Sequence, residues 1–216
     1  SKRLGLDNTL MKVIINKAKT KPKRVVLADA ENLSVLKAAQ EVLQDKIATP
    51  ILLGNREVIQ QILDENSIKL PGVEIIDPYL PVVDEDKERA NRYSELLFIR
   101  RLRQGLNKAE AQKIIRRRNY YGSMMVSTGD ADAMIGGMSR NYPDTVRPAL
   151  QAIGRKDGVQ KVSGMYILMT RFGPLFLADT TVNFNPSAEE IVEIAELSAK
   201  QEKKINIKPR IALITY

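Results

Sequence analysis

RVVLADAENLSVLKAAQEVLQDKIATPILLGN, residues 24–55, sets out a strand, a helix and a second strand in close succession. Val25 to Ala28 is an apolar run of strand length, and Pro50-Ile51-Leu52-Leu53-Gly54 is another. Between them Leu36, Ala39, Val42 and Leu43 recur at helical spacing, giving one apolar face to a helix that begins near Asn32 or Ser34. Working outward, residues 7–19 carry Leu10, Ile14, Ile15 and Ala18 at the same spacing, and Lys21-Pro22 breaks that helix before the first strand. Val58 to Leu63 is helical in pattern and Val73 to Ile76 reads as a third strand. A β-α-β-α-β rhythm implies parallel strands joined by right-handed crossovers, so the fold class is α/β.

Further along, residues 84–104 read as a long charged helix with Tyr93, Leu96, Leu97 and Arg100 along one side, ended by Gly105. Asn107 to Glu110 opens another helix as a capping box. Val162 to Met169 and Pro174 to Ala178 pair as strands around the turn Arg171-Phe172-Gly173. A helix follows the Ser187-x-x-Glu190 capping box, and Arg210 to Thr215 reads as a final strand. A boundary near Gly154 to Gly158 divides a first α/β domain, 1–157, from an incomplete second one, 158–216, truncated in its last strand.

Composition excludes several chemistries. At 216 residues, 44% hydrophobic and 28% charged, the chain can bury a sizeable core. No apolar run reaches the length needed to cross a bilayer, and SKRLGLDNTLMKVI lacks a signal-peptide core, so the expected location is cytoplasmic with no membrane partner. Cysteine and histidine are both absent, which removes disulfides, thiolate catalysis, the usual zinc sites and serine–histidine arrangements. Proton transfer would have to use carboxylates, lysine, tyrosine or substrate. The net charge of +8 is clustered at Arg100, Arg101 and Arg103, at Arg116 to Arg118, and at Lys17, Lys19, Lys21, Lys23 and Arg24. Such clusters suit a solvated helix face, nucleic acid, or a small polyanionic ligand. Nucleic acid is the poorest fit, because only 5% of residues are aromatic and no recognition motif accompanies the charge.

GDADAMIGGMSRNYPDTVRPAL, residues 129–150, is the candidate site. Ala131, Ala133, Met134 and Ile135 suit a short buried strand, and Gly136-Gly137 lets the backbone turn where a Cβ would obstruct it. Ser139, Arg140, Asn141 and Tyr142 follow in a loop. Pro143-Asp144-Thr145 reads as a helix entry with Asp144 or Thr145 as its N-cap, which puts Arg147 in the first turn. An arginine gains little from the helix dipole there unless an anion is bound. Alternatively Arg147 pairs with Asp130, Asp132 or Asp144 and locks the loop. Ligands of open α/β sheets gather beyond the strand C-termini, where the loop after Ile135 lies.

The run NYYGSMMVSTGDADAMIGGMSRNYPDTVRPALQAIGRKDG, 119–158, closely resembles the phosphate acetyl/butyryltransferase family. KRVVLADAENLSVLKAAQ at 23–40, PILLGN at 50–55, ADTTVNFNPSAEEIVEIAELSA at 178–199 and PRIALITY at 209–216 match family segments in the family's order. The resemblance implies a three-layer, parallel-sheet domain of the phosphotransacetylase (isocitrate dehydrogenase-like) fold, with part of a second α/β domain. It also implies acetyl-CoA or CoA and phosphate as ligands. Arg147 in TVRPAL and Arg101, four residues before Gly105, match family positions, with Ser139 and Arg140 joining them from the loop. Asp130, Asp132, Gly136, Gly137, Asp144 and Thr145 would support that site. Asp179 with Thr180, Asn183 and Asn185 forms a second polar cluster, read as shaping the turn before the helix at Ser187.

The family's catalytic serine, arginine and aspartate follow the last strand, so the resemblance implies no catalytic residue within these 216 positions. Where the family commonly has Glu-Gly after the first strand, this chain has Asp29-Ala30, which restricts the backbone where it would approach a ligand. RNYPDTVRPALQ, 140–151, is similar to the branch of the family fused to bacterial NADP-dependent malic enzymes. That branch implies a regulatory, oligomerising domain without acetyl transfer, with acetyl-CoA as effector and a homo-oligomer as its assembly. NADP and a divalent metal would then belong to malic enzyme domains N-terminal to this region. The alternative is a working phosphate acetyltransferase, which moves acetyl between CoA and phosphate.

Overall fold

In the computed structural model, which describes residues 9–170 and 173–214, α1 (Thr9–Thr20) is followed by β1 (Lys23–Leu27), α2 (Leu33–Gln44) and β2 (Ala48–Leu53). Asn32 caps α2, its side chain accepting from the Ser34 N–H. Next come α3 (Arg56–Glu65), β3 (Glu74–Ile76), α4 (Asp84–Arg101) and a 3₁₀ turn at Leu102–Gln104, closed by Gly105 in the left-handed conformation. α5 (Lys108–Ile114) opens with the Asn107–Glu110 capping box, and α6 (Arg118–Thr128), β4 (Ala133–Ile135) and α7 (Tyr142–Ala152) complete the series.

The four strands are parallel in the order β3-β2-β1-β4. Alternate residues of β2 explain the layering. Leu52 joins Leu36, Ala39, Ile59 and Leu63 in one apolar cluster under α2 and α3, while Ile51 and Leu53 join Tyr93, Leu97, Tyr121, Met124 and Met125 in another under α4 and α6. A strand covered on both faces must be apolar throughout, which is why PILL reads as a continuous run rather than an alternation.

Three local readings are corrected. The strand over 133–135 is not buried: among the described residues it is the sheet edge, with β1 alone beside it, and Ile135 is 62% exposed. α7 begins at Tyr142 with Asn141 as its cap, accepting from the Asp144 N–H, because the asparagine side chain reaches that donor before Asp144 or Thr145 could serve. Arg147 therefore lies in the second turn. Residues 210–214 make no strand among the described residues, since no neighbouring strand pairs with them; Thr215 lies outside those residues. Ala30, at the departure from Glu-Gly, is fully buried within the cluster under α2 and α3.

Ala18–Gly154 forms one compact unit; the described residues before and after it group as a second. In the second unit β5 (Met165–Thr170) and β6 (Gly173–Ala178) pair antiparallel; positions 171 and 172 of the expected turn lie outside the described residues. α8 (Ala188–Lys204) starts at the complete Ser187–Glu190 capping box. Asp179 accepts the backbone N–H groups of Gly164 at 2.9 Å and Asn183 at 2.7 Å, and Asn183 donates to the Val162 carbonyl at 2.8 Å. Asp179 and Asn183 thus tie the segment before α8 to the entry of β5.

Candidate functional site

The loops leaving β1, β2 and β3 and the N-terminal turns of α6 and α7 line a crevice of about 590 Å³ at the carboxyl edge of the sheet. β1 has β2 on one side and β4 on the other, so the chain leaves neighbouring strands in opposite directions and opens the edge there. The volume falls within the range of roughly 300–1,000 Å³ usual for small-molecule sites.

Three of the four carboxylates that line this crevice, Asp29, Glu31 and Asp77, are already engaged; that of Asp144 forms no hydrogen bond or ion pair among the described residues. Asp29 accepts the N–H groups of Gly137 and Met138, each at 2.9 Å, and the Ser139 hydroxyl. Burial pushes the Asp29 carboxyl up, but the Ser139 hydroxyl, the two backbone donors and the nearby Arg118 outweigh it and hold the group below the ordinary aspartate range. Glu31 accepts the Asn55 N–H at 2.8 Å and pairs with Arg118 at 3.2 Å. Asp77 accepts the N–H groups of Tyr79 at 2.8 Å and Leu80 at 3.1 Å. These groups fix the loops. Gly137 adopts a φ of +110°, which a side chain would resist, so its N–H can turn back to Asp29.

The arginines are in the opposite condition. Arg116, Arg117, Arg140 and Arg147 line the crevice, and among the described residues their side chains form no hydrogen bond or ion pair. Arg117 is also the N-cap of α6 and makes no side-chain cap bond, so the first N–H groups of that helix face the crevice without a capping acceptor. Tyr120, in the same first turn, donates to Gln151 at 2.5 Å. Burial raises its phenol, against which Arg117, Arg147 and Arg101 pull the value down. Three arginines from α4, α6 and α7 thus act on one ring, although Arg101 itself does not line the wall.

The remaining expected residues divide by sheet edge. Gly136 and Gly137 form the turn after β4, the Thr145 hydroxyl bonds the Asn141 carbonyl at 3.2 Å, and Asp144 lines the crevice. Asp130 and Asp132 lie at the other, amino edge. Asp132 accepts the Arg24 N–H at 2.9 Å and pairs with Lys23 at 3.3 Å, and Asp130 accepts from Tyr93, Arg92 and Thr128. Neither reaches Arg147. Asp179 and Asn183 belong to the other unit. Sequence reading grouped Arg116–Arg118 only as a charge cluster and passed over Glu31, Asn55, Asp77, Tyr79 and Tyr120. The available signal was position, since Glu31, Asn55 and Asp77 each follow the end of an expected strand. Among the described residues no cluster of acidic groups is placed to hold a metal ion, and no helix is long and apolar enough to cross a membrane.

An open parallel sheet whose carboxyl edge gathers unpaired arginines around a helix N-terminus defines an α/β domain with an arginine-lined crevice. Residues 9–216 match the family described as phosphate acetyl/butaryl transferase, and the chain belongs to that family. It is 32% identical to the phosphate acetyltransferase of Bacillus subtilis (strain 168), over 96% of this chain and 62% of that protein. It is 34% identical to the NADP-dependent malic enzyme of Escherichia coli (strain K12), over 97% of this chain and 27% of that protein. Among solved structures, a phosphotransacetylase from Streptococcus pyogenes superposes with a TM-score of 0.84 at 29% identity, covering 96% of this chain and 61% of that one. The chain therefore spans about three fifths of these two acetyltransferases and about a quarter of the malic enzyme.

Proposed function

We propose that the crevice binds the phosphate-bearing part of an acyl-CoA thioester, and that the chain is the effector-binding, oligomerising region of an NADP-dependent malic enzyme. The observation that carries the binding step is that four lining arginines, Arg116, Arg117, Arg140 and Arg147, are unengaged against a single unengaged carboxylate, Asp144. With Asp29, Glu31 and Asp77 already satisfied, Arg117, Arg140 and Arg147 are left to meet an anion. A guanidinium fork stays charged when desolvated and donates paired hydrogen bonds to phosphate oxygens. The similarity to malic enzymes and the RNYPDTVRPALQ segment support the regulatory role. Acetyl-CoA would act by binding two states of the parent enzyme unequally, while malate oxidation proceeds elsewhere in that enzyme.

Calorimetric titration of the chain with acetyl-CoA, CoA and inorganic phosphate tests the binding step, and Arg147→Ala tests its location. In a natural polypeptide carrying malic enzyme domains, Arg147→Ala should relieve inhibition by acetyl-CoA and leave malate turnover in place. Inhibition unchanged in that variant would overturn the site. A second reading, a working phosphate acetyltransferase, is favoured by the match to shorter acetyltransferases such as that of Bacillus subtilis, of which this chain spans 62%. Acetyl phosphate formation from acetyl-CoA and phosphate by the complete natural polypeptide would establish it.

A further inference from the structure

The Asp144 carboxylate stands on the crevice wall with no hydrogen bond or ion pair among the described residues. Its backbone is held from both sides: the N–H donates to the Asn141 side chain at 3.1 Å, and the carbonyl accepts from Asn119 at 3.0 Å. Arg147 follows three residues further along α7, the spacing at which side chains of a helix are neighbours and opposite charges pair. The two do not pair. From α6, the Tyr120 phenol registers both, since burial raises it, Arg117 and Arg147 pull it down and Asp144 pushes it up. Asp144, Arg117 and Arg147 therefore converge from two helices on one part of the crevice, each side chain without a partner among the described residues. The helix dipole favours an acid in the first turn of α7, which would explain a stabilising charge there and nothing about binding. The experiment below separates that role from a part in recognition.

We infer that Asp144 selects the anion: an oxyanion held by Arg117 and Arg147 must turn a protonated oxygen toward the Asp144 carboxylate, so the crevice takes phosphate and rejects sulfate. This rests on the reading of the crevice as a phosphate site and adds the residue that tells phosphate from another tetrahedral oxyanion. An ionised carboxylate accepts hydrogen bonds and donates none. Inorganic phosphate keeps at least one proton at neutral pH, so its P–OH donates to Asp144 while its remaining oxygens accept from the guanidinium forks. Sulfate keeps no proton and faces Asp144 with lone pairs and like charge alone. The arginines by themselves would order the two the other way, because sulfate has the same shape and carries the larger charge at pH 7.

The test titrates the 216-residue chain calorimetrically with sodium phosphate and sodium sulfate at pH 7 and constant ionic strength. The unsubstituted chain is expected to bind phosphate about tenfold more tightly than sulfate, the worth of one hydrogen bond to a charged group. Asp144→Asn keeps the shape, removes the charge and supplies N–H donors, so sulfate should tighten until the two affinities meet or reverse. The side chain is exposed, so the variant should stay folded, which its denaturation midpoint checks. If Asp144→Asn shifts both anions by the same factor, or leaves both unchanged, Asp144 is only a background charge and the inference is overturned. Equal binding of the two anions by the unsubstituted chain also overturns it and leaves the anion site standing. Binding of neither removes the inference and the phosphate site together.

Discussion

The Asn119 side chain donates to the Asp144 carbonyl at 3.0 Å, and that carbonyl is the one Pro148 leaves without its helical partner. Proline has no N–H to return to the residue four positions earlier, so a proline within α7 exposes an acceptor at the first turn. α6 fills the vacancy from outside. The same contact joins the two helix N-termini of the crevice, and it sets Arg147, the residue before the proline, opposite Arg117 and Tyr120. Asn119→Ala is expected to cost about 1 kcal/mol of stability and to weaken phosphate-ligand binding. Pro148→Ala restores an N–H to the helix, so the stability cost of Asn119→Ala should shrink in that background. A double-mutant cycle by chemical denaturation measures the difference, and strict additivity would refute the pairing.

Arg147→Ala should separate binding from folding. Arg147 is exposed and forms no hydrogen bond or ion pair among the described residues, so its loss is expected to change stability by no more than about 0.5 kcal/mol. Its loss should weaken acetyl-CoA binding by about tenfold to a hundredfold, the span of a charge-assisted contact. Lysine at this position should recover part of the affinity, since it keeps the charge and loses the fork. Denaturation midpoints beside calorimetric titrations check both halves. A large fall in stability with affinity retained would make Arg147 structural.

How far the sequence announced this arrangement depended on whether a segment buries one face or all of them. α2 and α8 carry one apolar stripe with a capping residue in front, and both starts were legible at Asn32 and Ser187. α6 was not read as a helix. Tyr120 to Met125 are buried in succession, so no polar face alternates with an apolar one, and Gly122 breaks the local propensity. The glycine is there because the helix lies against the sheet: a Cβ at Gly122 would stand 2.7 Å from the Met134 sulfur. Missing α6 also hid Arg116 to Arg118, whose role comes from standing at its N-terminus rather than from their charge alone. Arg147 was found from its motif, and its freedom from partners became visible only when Asp130 and Asp132 proved to lie on the other sheet edge and Asp144, on the same edge, proved to form no ion pair with it.

Asp130 provides the contrast to Arg147. It accepts from the Tyr93 hydroxyl at 2.5 Å, Arg92 at 2.6 Å and Thr128 at 2.7 Å, and the Tyr93 ring meets Tyr121 edge to face at 5.1 Å between centroids. Removing the carboxylate leaves the fully buried Tyr93 with an unmade hydrogen bond. Asp130→Ala is therefore expected to cost on the order of 2 kcal/mol in stability and to leave ligand affinity at the opposite edge unaltered. Denaturation and titration of the same preparation decide it. A loss of affinity under conditions where the variant is fully folded would tie the two edges together.

Asp29 makes stability depend on acid. Burial alone would raise its carboxyl, but Ser139, the Met138 and Gly137 N–H groups and Arg118 hold it below the ordinary value of about 4. A group whose folded value is depressed contributes stability that is fully present above its unfolded value and is lost as pH falls through the folded one. The contribution of Asp29 is thus constant at neutral pH and disappears progressively below about pH 4. Asp130 and Asp179 are depressed in the same direction, so Asp29 supplies one share of the acid sensitivity. Asp29→Asn should lower stability at pH 7 and flatten its decline between about pH 4 and pH 2 relative to the unsubstituted chain. Because the same carboxylate holds the loop that carries Arg140, the variant should also bind phosphate ligands more weakly at neutral pH. Urea denaturation at several pH values reads the first effect, and an acid slope identical to that of the parent chain would show that the hydrogen bonds to Asp29 do not hold its charge.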